Sequence, residues 1–187
     1  MHPYEIAQTL RSRGKHDSVR LNYGSLYGVV ESLEKRGLIT ARETVREGRR
    51  PERTVYEITE AGTTELIDWL SELVATPAKE YLQFEAALTF LAALPPDDAA
   101  ALLRQRVQGL ELLLAQTKAT TATTVAMGVP RLFTLEAEYT ERLLETELDW
   151  VRLLVKEIES GSLEGVKEWA GFHAAPTPTP PAKKRKT

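Results

Sequence analysis

Cysteine is absent from the 187-residue chain, and this absence excludes several kinds of protein and site. Without thiols there is no disulfide framework, no cysteine-ligated zinc site and no thiol nucleophile. The three histidines, His2, His16 and His173, do not have the spacing of metal ligands, and the sequence holds neither a Gly-rich phosphate loop nor a serine elbow. We therefore expect no catalysis, no metal and no other cofactor.

Long apolar runs are also missing. The longest, such as residues 86–94, fall far short of the roughly 20 residues that a membrane-spanning helix needs. At the N-terminus, Pro3, Glu5 and Arg11 interrupt any stretch that could act as a signal peptide. These features predict a soluble protein of the cytoplasm that does not contact a membrane.

The composition permits a packed core, because 42% of the residues are hydrophobic and 27% are charged. The net charge of −3 conceals an uneven distribution. Residues 1–56 carry eleven Lys and Arg against seven Asp and Glu, whereas residues 57–175 carry nine basic and twenty acidic residues. A head at +4 on a body at −11 suits a protein whose head alone meets phosphate, although such unevenness also arises by chance.

The head begins with two predicted helices. Apolar residues at helical spacing indicate the first helix over residues 3–13. A second helix is predicted to begin near Asn22, which is a good N-cap residue, and to end at Gly37. The apolar stripe predicted for this second helix consists of Leu26, Val29, Val30 and Leu33.

A hairpin and a third helix follow. Alternating apolar residues predict strands over residues 38–45 and 53–58, separated by a turn over residues 47–52 that contains glycine and proline. Thr59 is a predicted N-cap for a helix over residues 61–73. This order of elements is typical of a winged helix-turn-helix.

The winged helix predicts where DNA would bind. The second helix of the motif enters the major groove with its N-terminal turn, while the hairpin contacts the adjacent backbone. Asparagine can pair with adenine, and hydroxyl and backbone N–H groups can bind phosphate. Three arginines close together at the hairpin would repel one another unless an anion lay between them. The predicted DNA-binding residues are Arg20, Asn22, Tyr23, Gly24, Ser25, Tyr27, Arg49, Arg50 and Arg53.

Two of these assignments leave alternatives open. Tyr27 could pack under the wing instead of facing DNA. The arginines of the hairpin could form a solvated turn that is paired with Glu47 and Glu52.

The acidic body is predicted to be helical, with helices over residues 79–94, 97–120 and 131–160, a loop over 120–130 and a short extra element over 165–171. In two of these helices apolar residues recur in steps of four and three, the heptad rhythm of helices that lie along a partner. The residues predicted to join two protomers are Leu103, Val107, Leu110, Leu114, Leu144, Leu148, Val151, Val155 and Ile158.

Aromatic side chains in the body are numerous enough to line a pocket between helices. Trp150 is the predicted effector-binding residue, because a tryptophan near a dimer seam can stack on a planar molecule. Aromatic residues at helical spacing are also ordinary core residues, so Trp150 could equally be a packing anchor. The Pro-rich and basic residues 174–187 cannot bury apolar surface and are predicted to be disordered.

Three segments of the head resemble the successive signatures of the PadR family of bacterial winged-helix repressors. They are HPYEIAQTL, GSLYGVVESLEKRGLI and GRRPERTVYEITEAG, and the match is dense over residues 2–66. The family motifs correspond to Tyr4-Glu5-Ile6, to Ser25-Leu26-Tyr27 with the following Glu34 to Ile39, and to Tyr56 through Gly62. Beyond them, residues 88–96 and 147–150 resemble more loosely the helical C-terminal domain of one PadR branch.

The resemblance implies a homodimer that binds a roughly palindromic operator in double-stranded DNA and is released by a small molecule or another signal. The aromatic side chains of the body suggest a small aromatic effector. The implied fold is mainly α. A winged helix-turn-helix with a two-stranded β-hairpin wing occupies residues 1–74, a helical dimerisation and effector domain occupies 75–173, and a tail occupies 174–187.

The family normally has a further helix before the Tyr4-Glu5-Ile6 motif, and this chain begins where that helix should already have ended. A start codon placed too late is the favoured explanation, and a truncated copy is the other. The alternative function is a winged-helix module for protein contacts that lacks sequence-specific DNA binding.

Overall fold

The winged-helix order expected from the sequence is present in a computed structural model, which describes residues 1–12, 23–45 and 53–174. The chain divides into two units, Met1–Glu80 and Tyr81–Thr187. The elements described in the first unit are α1 (Pro3–Ser12), α2 (Tyr23–Lys35), β1 (Ile39–Val45), β2 (Arg53–Ile58) and α3 (Glu60–Ala75).

Helix α2 ends where the sequence predicts, and the reason is visible in its backbone. Gly37 has a φ of 71°, a left-handed conformation that glycine adopts without steric cost. The N–H of Gly37 donates to the carbonyl of Glu34 at 2.9 Å, and the N–H of Leu38 donates to that of Leu33 at 3.0 Å. This pair of bonds is a Schellman motif, which satisfies the last carbonyls of the helix.

The wing is an antiparallel hairpin whose register runs from Ile39 opposite Ile58 to Val45 opposite Arg53. The register shifts between Ala41 and Glu43, so the hairpin contains a β-bulge in its first strand. Both predicted strands are therefore confirmed. The predicted turn over residues 47–52 lies outside the described residues.

Helix α3 has the predicted N-cap, since the hydroxyl oxygen of Thr59 accepts from the N–H of Gly62 at 3.0 Å. The only buried residue of α3 is Gly62. Four large apolar residues of this helix remain at least two-fifths exposed: Leu66, Trp69, Leu70 and Leu73. Val29, which was predicted to be buried on α2, is also half exposed, because Val30 takes the central place in that helix's contact with the domain.

The second unit is helical throughout its described part. Its elements are α4 (Gln83–Thr89), a 3-10 turn (Leu91–Ala93), α5 (Pro96–Ala126), a 3-10 turn (Arg131–Phe133), α6 (Leu135–Ser160) and α7 (Val166–Ala174). Helix α6 ends at Gly161, which has a φ of 71°. Residues 175–187, which include most of the predicted disordered tail, lie outside the description.

The heptad stripes of α5 and α6 pack against each other within one chain. Val151 is fully buried, and Leu103, Leu110 and Leu148 are at most 5% exposed. Val107, Leu114 and Leu144 pack at the edge of the same core. All nine side chains that are predicted to join two protomers lie in or against this core within one chain, because an antiparallel helical hairpin satisfies a heptad pattern as well as a dimer does.

Three ion pairs connect α5 to α6 at steps of seven residues along each helix. They are Arg104–Glu159, Glu111–Arg152 at 2.6 Å and Lys118–Glu145 at 2.6 Å. Each pair is exposed and stabilises the fold little by itself. Because the sign alternates along each helix, sliding one helix by a heptad would place like charges together, so the pattern favours one register.

The loop predicted over residues 120–130 is wrong in its first part, because α5 continues to Ala126. Threonine hydroxyls in this stretch donate to carbonyls one turn earlier, as Thr120 does to Gln116 at 3.0 Å. Thr121 also contacts the carboxylate of Glu141 on α6 at 2.6 Å. Packing against α6 therefore outweighs the low intrinsic helix propensity of threonine.

The single helix predicted over residues 79–94 is also wrong, because α4 covers only Gln83–Thr89 and is followed by the 3-10 turn. The carbonyls freed at this early end find partners on α7. The indole N–H of Trp169 donates to the carbonyl of Leu94 at 2.7 Å, and Nε2 of His173 lies 2.9 Å from that of Ala92. Side chains from far along the sequence thus replace the missing helical bonds.

Candidate nucleic-acid interface

Helix α2 has a buried side and an exposed N-terminal turn. Val30 is 6% exposed, and Leu26 and Leu33 are half-buried on the same side. Gly24 and Ser25, at the start of the helix, are exposed. Two residues at the N-terminal end of α2, the end by which the second helix of such a motif enters a DNA groove, are thus exposed.

Tyr27 combines the two roles that its position left open. Its ring meets that of His2 edge to face, with centroids 6.3 Å apart, and it lines a groove of about 360 Å³ together with Thr54 and Tyr56 of β2. Tyr27 is nevertheless 59% exposed. Tyr27 therefore lies against the wing side of α2 and still presents most of its surface to solvent.

Acidic groups in the same groove have partners. Lys35 donates to Glu31 at 2.8 Å, and this hydrogen bond, followed by the lysine charge, lowers the pKa of Glu31. Partial burial raises the pKa of Tyr56, and the charge of Glu34 and a hydrogen bond to it raise that pKa further. The phenol of Tyr56 therefore stays protonated at neutral pH.

The far end of the hairpin ladder is the pair Val45–Arg53, which is the end away from α2 and α3. The backbone of Arg53 lies there, and the backbone of Tyr23 forms the first residue of α2. Four predicted DNA-binding residues, Arg20, Asn22, Arg49 and Arg50, lie outside the described residues.

Among the exposed arginines in the described part of the first unit, Arg36 and Arg42 were not among the predicted binding residues. Arg42, beside the bulge in β1, pairs with Glu57 of β2 at 3.4 Å. Arg36, after α2, pairs with Glu65 of α3 at 2.7 Å. The place of Arg42 in a strand next to the arginine-rich turn could have identified it as a candidate from the sequence. Its pairing with Glu57 could not be predicted in this way, because it depends on the hairpin register.

Trp150 lies in a different groove, within the second unit. Its ring meets Phe84 edge to face at 6.3 Å between centroids, and it is 47% exposed. The guanidinium of Arg106 lies 3.6 Å above the Phe84 ring and donates to Glu147 at 2.6 Å. These side chains line a groove of about 530 Å³, large enough for a small planar molecule.

The described residues hold no group of three or more His, Asp or Glu side chains that could bind a metal ion. Across the same stretches of chain, no helix is long and apolar enough to cross a membrane.

Comparison with protein families identifies the first unit. Residues 1–68 match the model of the transcriptional regulator PadR-like family, which confirms the resemblance seen in the sequence. That family consists of transcriptional regulators. No curated relative matches the sequence.

Solved structures confirm the fold over most of the chain. Bacillus subtilis PadR in complex with operator DNA superposes with a TM-score of 0.73 at 18% identity, covering 84% of this chain and 91% of that one. The same protein with p-coumaric acid gives a TM-score of 0.69 at 17% identity, with 85% and 90% covered. The Vibrio cholerae virulence activator AphA gives 0.62 at 19% identity, with 84% and 89% covered. At such identities the likeness establishes a winged helix followed by a helical domain and nothing finer.

Proposed function

The chain carries, over residues 1–68, the domain of PadR-like transcriptional regulators, and from this premise we propose that it binds operator DNA as a homodimer and represses transcription. The observation that supports this best is the exposed start of α2, at Gly24 and Ser25, beside a hairpin, in a stretch of sequence, residues 1–56, that carries a net charge of +4, whereas residues 57–175 carry −11. A relative of this fold has been crystallised with operator DNA, which agrees with the proposal. The proposed location is the cytoplasm.

The proposal divides the DNA contacts into two sets. The first turn of α2 and the residue before it would meet base edges and phosphates in the major groove, using Asn22, Tyr23, Gly24, Ser25 and Tyr27. The arginines Arg20, Arg49, Arg50 and Arg53 would contact the backbone or a narrow minor groove, where guanidinium groups bind most strongly.

A dimer of this chain needs a surface other than the heptad core. Large apolar side chains on the outward faces of α5 and α6 are about half exposed, and such a surface is typical of a face covered by a partner. They are Leu102, Leu112, Leu113, Leu143 and Leu153. A homodimer carries two reading helices, and the two half-sites of one operator lie about 34 Å apart.

The direct test is footprinting and gel-shift analysis with the DNA immediately upstream of the protein's own gene. We expect a protected, roughly palindromic segment, bound by two protomers, and increased expression from that promoter when the gene is deleted. Decreased expression would make the protein an activator, as AphA is described. Absence of any protected segment in folded protein would favour the alternative, a winged helix that binds another protein.

Replacing Arg49 and Arg50 by Ala is expected to weaken binding to all DNA sequences alike. Each lost phosphate contact should reduce the slope of log K against log salt by about 1, so the double variant should lose about 2. The matched comparison is Asn22→Ala with Ser25→Ala, which should change sequence preference and leave the salt slope nearly intact. If the two double variants behave identically in anisotropy titrations, the division of contacts is incorrect.

We also propose that a small planar aromatic molecule releases the protein from DNA by binding beside Trp150. Phe84 and Trp150 offer apolar ring surface, and a relative of this fold has been crystallised with p-coumaric acid. We expect aromatic acids tested at millimolar concentration to quench tryptophan fluorescence and weaken operator binding. Trp150→Leu should abolish both effects without changing DNA affinity, and Trp69→Leu should abolish neither. Release that survives in Trp150→Leu would place the effector elsewhere.

A further inference from the structure

One hydroxyl group holds together the end of α2, the start of β1 and the first turn of α3. The Oγ1 of Thr59 donates to the carbonyl oxygen of Gly37 at 2.7 Å and lies 3.1 Å from that of Leu38. It also accepts from the N–H of Gly62 at 3.0 Å, while the backbone N–H of Thr59 donates to Leu38 at 3.1 Å. An ordinary N-cap satisfies only its own helix, so these additional bonds to another segment are beyond what capping requires.

The corner at which the end of α2, the start of β1 and the first turn of α3 meet is closely packed. A Cβ at Gly62 would overlap the carbonyl oxygen of Leu38 and lie 2.9 Å from Cγ1 of Ile58. The absent side chain therefore lets the first turn of α3 rest directly on the backbone that follows α2. A backbone-to-backbone contact of this kind permits little change in angle, because no flexible side chain can absorb it.

An ion pair spans the corner on its exposed side. Arg36, which directly follows α2, pairs with Glu65 on the second turn of α3 at 2.7 Å. Both side chains are more than half exposed, so the pair adds little to stability. Together with Thr59 and Gly62, it fixes α3 to the end of α2 at three points along one turn and a half of helix.

We infer that Thr59 is a positioning residue for DNA reading, which sets the angle between α2 and α3 and so makes the two helices move as one body. This inference rests on the proposed function. Helix α3 is the last element before residues 76–82, through which the chain continues to the helical unit. A change in the orientation of α3 would move the reading helix by the same amount only if this corner is rigid.

A rigid corner and a loose one differ in how they tolerate operator spacing. With a rigid corner, two reading helices fit only half-sites at one separation, since each added base pair shifts a half-site by about 3.4 Å and rotates it around the duplex. With a loose corner, the helices reach more separations, but binding to the best one weakens because ordering them costs conformational entropy. The affinity ratio between spacings therefore reports rigidity, and it does not depend on the fraction of protein that is folded.

The test measures affinities for the footprinted operator and for versions with one base pair added or removed between the half-sites. The variants are Thr59→Val, which keeps the shape but removes the hydroxyl, and Thr59→Ser, which keeps the hydroxyl. We expect the wild type and Thr59→Ser to prefer the natural spacing by about tenfold or more, and Thr59→Val by about threefold or less. Ala7→Gly, a change at a buried position of α1 far along the chain from the corner, is the control for general destabilisation and should keep the wild-type ratio.

A Thr59→Val protein with the wild-type spacing ratio would overturn the inference, as would an equal loss of the ratio in Ala7→Gly. If Thr59→Val does not fold, Thr59→Ala, which also removes the hydroxyl, is measured in its place, and an unchanged spacing ratio in that variant also overturns the inference. A wild type that binds every spacing equally would overturn the inference too, because the corner would then be loose. A wild type that binds no operator would instead overturn the proposed function itself, so the two failures are distinguishable.

Discussion

Gly62→Ala is expected to lower the free energy of unfolding of the first unit by about 3 kcal/mol or more, the upper range for overpacking a core. The reason is steric, because the new methyl group would overlap the carbonyl oxygen of Leu38 and approach the side chain of Ile58. The first neighbour is backbone and cannot rotate away. Helix α3 would have to withdraw from the strand, and the bonds of Thr59 would be lost with it.

The measurement is equilibrium denaturation followed by circular dichroism, with separate transitions fitted if the two units unfold separately. Gly28→Ala is the matched control, because Gly28 lies within α2 and a Cβ there would meet nothing within 4 Å. That variant should gain about 0.5–1 kcal/mol from helix propensity alone. A Gly62→Ala variant that is as stable as the wild type, or more stable, would show that the corner is not closely packed in solution.

Leu148→Ala is expected to lower the free energy of unfolding of the helical unit by about 2–5 kcal/mol. Leu148 is 4% exposed at the centre of the contact between α5 and α6, next to the fully buried Val151. Truncation would leave a cavity in this core. The loss should be independent of protein concentration, because the contact lies within one chain.

Leu153→Ala is the comparison for this prediction, since Leu153 lies on the same helix and is 53% exposed. Its effect on the unfolding of a single chain should be small, and any effect should appear in the monomer–dimer equilibrium measured by light scattering. The opposite pattern, with Leu148→Ala dissociating the protein and leaving unfolding unchanged, would restore the heptad stripe to the dimer interface that the sequence predicts.

The winged helix could be predicted from the sequence because its signals are local. Gly37 marks the end of α2, alternating apolar residues mark β1 and β2, and Thr59 marks the start of α3. Each of these depends on the conformational preference of one residue or on a period of two or 3.6 residues. The fold class and the family followed from these same segments.

The helical unit was harder to predict because its pattern has more than one structural solution. A heptad stripe indicates that a helix lies along a partner, but the same stripe fits a neighbouring helix in the chain or a second copy. Leu148 and Val151 pack against the neighbouring helix of the same chain. The threonine-rich end of α5 was misjudged because its helical state depends on α6, through contacts such as Thr121 with Glu141.

In the candidate site, too, features with a local sequence signal could be predicted and features that depend on distant segments could not. The exposed first turn of α2 was predictable from its place in the motif, whereas the bonds of Thr59 to Gly37 required two segments about twenty residues apart to meet. The ion pair between Arg36 and Glu65 likewise depended on the angle between two helices. Sequence spacing predicted which residues would read DNA, and only the fold showed what holds α2 in place.

Sequence-specific DNA binding is the central prediction for this protein. The most direct measurement of it is an anisotropy titration at several salt concentrations. The protein is titrated against the DNA upstream of its own gene and against a scrambled duplex of equal length. We predict tight binding to the upstream DNA, stronger by about a thousandfold than to the scrambled duplex, with log K falling steeply as log salt rises. Equal and weak binding to both duplexes without salt dependence, by protein shown to be folded, would contradict the account.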